Sequence, residues 1–203
     1  GSTVATELTR FGNRVVGIDI DERRVSQLAS TLYSALILDA TDEAALREAG
    51  IDEYDVAVVA IGGNLEASIL TVMTLKLLGI EAIWVKASGK THHRILAKLG
   101  VDRVIQPEQE IGRHIAQMLN NPVLQDYVSL GNGYSVVNIV VPESLAGREL
   151  TSLGLGTTYD LRLLGVMRGT QFRHASEDTV LEADDKLLIL GKRGELRSFG
   201  DSL

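Results

Sequence analysis

Arg14-Val15-Val16-Gly17-Ile18-Asp19 is an apolar run of strand length that ends in an acid. A segment with helical spacing precedes it at residues 2–11, and Gly12 stands where helices commonly end. A strand that is apolar along nearly its whole length is typical of a parallel sheet buried on both faces. The carboxylate at its last position then lies at the edge where open α/β sheets bind their ligands.

Strands and helices alternate along residues 1–121. Four further apolar runs lie at 35–38, 56–61, 82–85 and 104–105, and segments with helical spacing separate them. Buried strands joined by helices predict a parallel sheet covered on both faces. Residues 1–121 are therefore predicted to form a Rossmann-type α/β domain.

A domain of this type normally begins one strand earlier, with a glycine-rich turn that leads into the first helix. Gly1 can be at most the last glycine of such a turn. We therefore expect that the sequence omits the first strand and most of the glycine loop of the natural protein. The loop that would hold phosphate groups is then incomplete.

The pattern changes after Asn121-Pro122, and residues 122–203 are predicted to form a small α+β domain. Gly169-Thr170 is a plausible hairpin turn between two of its strands. The predicted elements are strands at 134–141, 161–168, 171–174 and 186–190, a short helix at 143–153 and a polar helix at the C-terminus.

Composition excludes several classes of function. The 203 residues are 45% hydrophobic and 23% charged, as in ordinary globular proteins. They include no cysteine, which excludes disulfides and thiolate metal sites, and the net charge of −7 argues against general affinity for nucleic acids. The longest apolar run, 56–61, is far shorter than the ~20 residues that span a bilayer. We therefore expect a cytoplasmic protein without a nucleic-acid partner.

Asp19 is the sharpest candidate for a binding residue. A carboxylate at this strand end can accept hydrogen bonds from both hydroxyls of a ribose, and it disfavours a ligand that carries a 2′-phosphate. The alternative role is a solvated acid that caps the following helix.

Two turns follow neighbouring strands at the same predicted edge of the sheet. Asp39-Ala40-Thr41 can present a carboxylate or backbone groups to an adenine edge, and it can equally form an Asx turn in which Thr41 caps a helix. Gly62-Gly63-Asn64, after Ile61, lets the backbone approach a ligand closely beside a helix N-terminus. The simpler interpretation of these glycines is a tight turn between strand and helix.

Two charged residues complete the predicted edge. Lys86 can neutralise phosphate charge or form a salt bridge with a neighbouring acid. Glu108 can bind a metal-bound phosphate or stabilise the N-terminus of its own helix. His92-His93 are poorly placed to bind one metal, since neighbours on a helix point in different directions. The sequence also contains no catalytic motif that we recognise.

Taken together, these residues resemble the RCK (KTN) family of cytosolic regulators of potassium transport, specifically its two-domain TrkA/KtrA-like subunits. The resemblance covers nearly the whole chain, and the order and spacing of its motifs make it specific. The motifs are Val16-Gly17-Ile18-Asp19, Asp39-Ala40-Thr41, Val58-Val59-Ala60-Ile61-Gly62, Ile83-Trp84-Val85-Lys86 and Gly100-Val101-Asp102-Arg103-Val104-Ile105-Gln106-Pro107-Glu108.

The resemblance implies a regulatory subunit without enzymatic turnover, made of a nucleotide-sensing domain and an RCK_C-type domain. Such subunits form homodimers and often octameric rings beneath a membrane potassium channel or transporter, at the inner face of the cell membrane. They bind ATP or ADP, in some branches NAD or NADH, and some bind cyclic di-AMP at the C-terminal domain. A divalent cation near Glu108 is a further expectation.

By position, the resemblance divides the ligand among the predicted residues. Asp19, with Ile20 beside it, would contact the ribose, and the turn from Asp39 through Ala40 to Thr41 would contact the adenine. Ile61, Gly62, Gly63 and Asn64 would lie along the sugar–phosphate edge, with Lys86 and Glu108 near the phosphates or the cation.

Two other functions are compatible with parts of the pattern. The fold alone suggests an NAD-dependent oxidoreductase, although no catalytic constellation supports it. A redox-sensing transcription regulator is disfavoured by the acidic charge balance. Two apolar helix faces are predicted to pack mostly in the core, with subunit interfaces as the alternative: Leu65, Ile69, Val72 and Met73 on one helix, and Ile111, Ile115 and Met118 on another.

Overall fold

The computed structural model describes residues 1–120, 124–176 and 178–203. These residues form two compact units, Gly1–Pro107 and Glu108–Leu203. The predicted domain boundary at 121–122 lies outside the described residues. In the part of the chain that the structure describes, no helix is both long enough and apolar enough to cross a membrane.

The first unit alternates helices and strands, as predicted. Its elements are α1 (Ser2–Arg10), β1 (Val16–Asp19), α2 (Glu22–Leu28), β2 (Ser34–Ile37), α3 (Glu43–Glu48), β3 (Val56–Val59), α4 (Leu65–Leu77), β4 (Ala82–Lys86), α5 (Lys90–Lys98) and β5 (Arg103–Ile105), with a 3-10 turn at Ile51–Glu53.

All five strands of this unit run parallel, but they form two sheets rather than one. One sheet pairs β1 with β2, and the other has the order β3-β4-β5. Doubly wound order places the first strand of such a domain between these two groups. Among the described residues no strand pairs with the remaining edge of β1 or of β3. The Rossmann-type class is confirmed, and the sheet is divided where that strand would lie.

Polar side chains cap the N-termini of α2, α3 and α4. Asp21 accepts a hydrogen bond from the Arg23 amide at the start of α2, and Asn64 accepts one from the Ala67 amide at the start of α4. The helix after β2 begins differently from the prediction, because Asp42 rather than Thr41 is its N-cap. Thr41 is instead held by Asp39.

The core of the first unit lies between the strands and the buried faces of α4 and α5. Val72, Ile83, Val85 and Leu96 are almost completely buried there. The prediction that the α4 face is mostly core is wrong in part, because Leu65 and Met73 are exposed. A helix that is apolar on all sides cannot bury every face against one sheet.

The second unit begins within α6 (Pro107–Asn120). It continues with β6 (Leu124–Gly131), β7 (Tyr134–Val140), two 3-10 turns (Glu143–Leu145 and Leu150–Leu153), α7 (Leu155–Thr158), β8 (Arg162–Arg168), β9 (Gln171–Arg173), β10 (Lys186–Lys192) and α8 (Arg193–Gly200).

Five antiparallel strands form one sheet in the order β6-β7-β10-β8-β9. The predicted hairpin at Gly169-Thr170 and the C-terminal helix are confirmed. Strand β6, which the sequence analysis missed, pairs with β7 along most of its length. On α6, Ile111 and Ile115 are exposed, so their predicted packing in the core is also wrong.

The helix predicted at 143–153 is wrong. Its two ends are 3-10 turns, and the chain between them pairs with another segment. The Gly147 amide donates to the Leu181 carbonyl, and the Leu150 amide donates to the Thr179 carbonyl. Gly147 has a φ of 81°, a conformation that interrupts a right-handed helix and that glycine adopts readily.

Candidate functional site

The parallel register of β1 and β2 places two of the predicted acids at one sheet edge. Asp19 pairs with Ile37 at the ends of these strands, and the Leu38 amide donates to the Asp19 carbonyl at 3.2 Å. Asp39 therefore lies one residue beyond that hydrogen bond, on the same edge as Asp19.

The Asp19 side chain is one-third exposed, and both of its carboxylate oxygens have partners. Oδ1 accepts a hydrogen bond from the Asp21 amide at 3.0 Å, and Oδ2 lies 3.3 Å from Nη1 of Arg24. Ile20, the next residue, is largely exposed. The acid therefore faces water at the end of its strand, where a hydroxylated ligand can reach it.

Asp39 and Thr41 form a closed Asx turn. Oδ1 of Asp39 accepts from the Thr41 amide at 2.9 Å and from the Thr41 hydroxyl at 2.8 Å. These two donors hold the pKa of Asp39 below its ordinary value. The Thr41 carbonyl accepts from the Thr74 hydroxyl at 3.3 Å, and Ala40 packs against the core. The turn is thus fixed on its inner side by α4.

Gly62 and Lys86 lie side by side at the ends of the neighbouring strands β3 and β4. A Cβ atom on Gly62 would stand 3.6 Å from Nζ of Lys86. Ile61 packs against the core, while Gly63 has open space around its Cα atom. The side-chain oxygen of Asn64 accepts a hydrogen bond from the Ala67 amide at 3.0 Å. An ammonium group therefore lies over exposed backbone at this edge, next to the N-terminus of α4.

His92 holds the turn that follows Lys86, a role that the sequence did not reveal. Nδ1 of this buried ring lies 3.3 Å from the Ser88 amide nitrogen, which donates to it, and 3.2 Å from the Ser88 hydroxyl. Burial lowers the pKa of His92, which favours the neutral ring that accepts from Ser88. The spacing of four residues between Ser88 and His92 was the available signal.

Glu108 belongs to the second unit, in the first turn of α6. Its predicted role in binding phosphate or a divalent cation stays a prediction. Across residues 1–120, 124–176 and 178–203, the structure contains no group of three or more His, Cys, Asp or Glu residues arranged to hold a metal ion.

These groups have the chemistry to bind a ligand that carries hydroxyl groups and an anionic group. The partly exposed carboxylate at the end of β1 can accept hydrogen bonds from hydroxyl groups, and the ammonium group of Lys86 attracts anions. The Asp39–Thr41 turn presents backbone beside Asp19, at the end of β2, and the glycines after β3 present exposed backbone beside Lys86.

Two domain families match the chain, one after the other. The TrkA-N domain matches residues 1–107, and the TrkA-C domain matches residues 136–203. Ktr system potassium uptake protein A of Bacillus subtilis (strain 168) is 34% identical over 200 residues, which are 98% of this chain and 90% of that protein. Protein A of the Ktr system of Vibrio alginolyticus is 32% identical over 197 residues, or 97% and 90% of the two chains.

Among solved structures, the GsuK channel bound to NAD resembles this chain with a TM-score of 0.64 at 15% identity. The match covers 97% of this chain and 36% of that one. At this level of identity it shows a common fold.

Proposed function

This chain belongs to the TrkA family of potassium-uptake regulatory subunits, and on that premise we propose that it senses an adenine nucleotide and gates a membrane potassium channel or transporter. The observation that carries the proposal is the partly exposed Asp19 carboxylate at the carboxyl end of β1, within a TrkA-N domain. The sensor would span residues 1–121 and the C-terminal domain residues 122–203, a boundary that falls between the two family matches.

The proposed ligand lies along the carboxyl ends of the first unit's strands. Asp19 accepts the ribose hydroxyls, the Asp39–Thr41 turn contacts the adenine edge, and Lys86 neutralises phosphate beside Gly62. ATP or ADP is our first choice, because Lys86 supplies a cation for phosphate groups. NAD or NADH, as in the GsuK channel structure, is the alternative. A divalent cation near the phosphates, and cyclic di-AMP at the C-terminal domain, are further proposed ligands.

Gating follows from linkage. A nucleotide shifts a conformational equilibrium only if it binds one state more tightly than the other, so ATP and ADP must differ in their affinities for the two states. The subunit would act at the cytosolic face of the membrane as a homodimer or as an octameric ring, and it would bind its ligand without turnover. Exposed apolar side chains on α4, namely Leu70, Met73 and Leu77, support an assembly.

Substitution of Asp19 by alanine tests the nucleotide site. We expect it to weaken ATP and ADP binding by about 10- to 100-fold, because hydrogen bonds to a charged acceptor contribute about 1.5–3 kcal/mol. Isothermal titration calorimetry of the full chain measures the effect, and chromatography of the mixture should recover ATP unhydrolysed. Asp52→Ala, an acid elsewhere in the same unit, is the control. Equal affinities in Asp19→Ala and wild type would contradict the site.

Substitution of Leu77 by glutamate tests the proposed assembly. Leu70, Met73 and Leu77 are 42%, 47% and 70% exposed and follow the 3-4 spacing of one helix face. A charge placed in an apolar interface should raise the dissociation constant of the oligomer about tenfold or more. Sedimentation velocity measures the oligomer, with Phe11→Glu, at another exposed apolar position, as the control. An unchanged oligomer in Leu77→Glu would exclude this face.

A further inference from the structure

The carboxylate that is proposed to bind ribose has a cationic neighbour. Nη1 of Arg24 lies 3.3 Å from Oδ2 of Asp19, and Nε of Arg24 lies 3.6 Å from Oδ2 of Asp21. The other oxygen of Asp19 accepts the Asp21 amide at 3.0 Å. Both oxygens that a ribose diol would use are therefore engaged in this structure.

The two partners of Asp19 differ in how easily a ligand can displace them. The Asp21 amide belongs to the backbone at the start of α2, and it stays in place when a ligand binds. The Arg24 side chain is 68% exposed, and an exposed ion pair of this kind is worth at most about 1 kcal/mol. Arg24 is therefore the partner that a ribose hydroxyl replaces.

The position of Arg24 in its helix favours its ion pairs with these carboxylates. It lies in the first turn of α2, where the helix macrodipole disfavours a positive charge. Arg24 forms ion pairs with Asp19 and Asp21, and these carboxylates offset the unfavourable position. The guanidinium is held by the same acid that the ribose needs.

We propose that Arg24 is a specificity-determining residue that competes with the ribose hydroxyls for Asp19. The inference rests on the proposed nucleotide site. The competition lowers affinity only for ligands that bind through ribose hydroxyls, and it leaves contacts to adenine and phosphate unaffected. It also weakens as salt is added, because salt screens the ion pair but has no comparable effect on a hydroxyl–carboxylate hydrogen bond.

The test compares ATP with 2′,3′-dideoxy-ATP by calorimetry on the full chain. The ratio is the dissociation constant of 2′,3′-dideoxy-ATP divided by that of ATP. It isolates the hydroxyl contribution, because the adenine and phosphate contributions are common to both ligands. In Arg24→Met the ratio should exceed the wild-type ratio by about two- to fivefold, the range expected for an exposed ion pair. Added salt should raise the wild-type ratio and leave the Arg24→Met ratio nearly constant.

Arg23→Met is the matched control, since it removes the same charge from the neighbouring position of α2. Its ratio should equal that of wild type. An unchanged ratio in Arg24→Met, with ATP still bound and still sensitive to Asp19→Ala, would overturn the competition and leave the nucleotide site standing. Absence of ATP binding in every variant would overturn both proposals.

Discussion

Substitution of Arg168 by methionine should lower the free energy of unfolding by about 3 kcal/mol at neutral pH, because it leaves a buried carboxylate without its charged partner. Asp185 is 1% exposed, and its Oδ1 and Oδ2 accept hydrogen bonds from Nε and Nη2 of Arg168 at 2.8 and 2.7 Å. Arg168 also donates to Glu182 and to the Val180 carbonyl, and so it ties β8 to the segment before β10.

The ion pair between Arg168 and Asp185 also predicts that the free energy of unfolding depends on pH. The hydrogen bonds from Arg168 hold the pKa of Asp185 below its ordinary value. A carboxyl whose pKa is lower in the folded state contributes stability that is fully present above its unfolded pKa of about 3.9. That stability is lost as the pH falls through the folded pKa. The difference between wild type and Arg168→Met should therefore be largest near neutral pH and shrink in acid.

Urea unfolding of both proteins, followed by circular dichroism from neutral to acidic pH, measures this difference. Arg162→Met is the control, because it removes the same charge from the other end of β8. If Arg168→Met cost no more than Arg162→Met at neutral pH, the buried pair would not hold the hairpin to the segment before β10. A loss of stability that did not diminish in acid would contradict the assignment of the effect to the ionised Asp185.

The first unit was predictable because its strands are short apolar runs and most of its helices are followed by glycines. Asp19 and Lys86 each close an apolar run, so the sequence placed them at strand ends without any knowledge of contacts. Contacts made by long side chains, such as the one between Arg24 and Asp19, could not be predicted from the sequence pattern.

The second unit was less predictable, because its contacts join segments that are far apart in sequence. Leu150 and Leu153 are buried three residues apart, a spacing compatible with a helix, yet backbone pairing with residues 179–181 determines that segment. Strand β6 was missed because apolar and polar residues do not alternate regularly along it. The His114 ring stacks on Tyr127 of this strand, with 5.0 Å between the ring centroids. No local pattern predicts such a contact.

Substitution of Lys86 by methionine should weaken ATP binding by about 10- to 100-fold, because it removes a charge-assisted contact of about 1.5–3 kcal/mol to phosphate. Methionine keeps most of the length and apolar character of the lysine side chain, and Lys86 ends β4 at the surface of the fold. The proximity of Nζ to Gly62 places the lost charge over the backbone that leads into α4. Adenosine, which has no phosphate, should bind wild type and Lys86→Met equally, within about twofold.

The comparison of ATP with adenosine by calorimetry separates a phosphate contact from damage to the fold. Lys98→Met, in the last turn of α5, lowers the net charge by the same amount and should leave both affinities unchanged. The salt dependence of ATP binding should also become shallower in Lys86→Met, since one phosphate-facing charge is gone.

Equal weakening of ATP and adenosine would instead mean that Lys86 supports the shape of the edge, and the phosphates would then have to lie elsewhere. A selective loss of ATP binding would place the phosphates at the ends of β3 and β4, beside the N-terminus of α4. The difference between ATP and ADP in their phosphate groups would then act on that helix, whose exposed apolar face is the proposed contact with the next subunit.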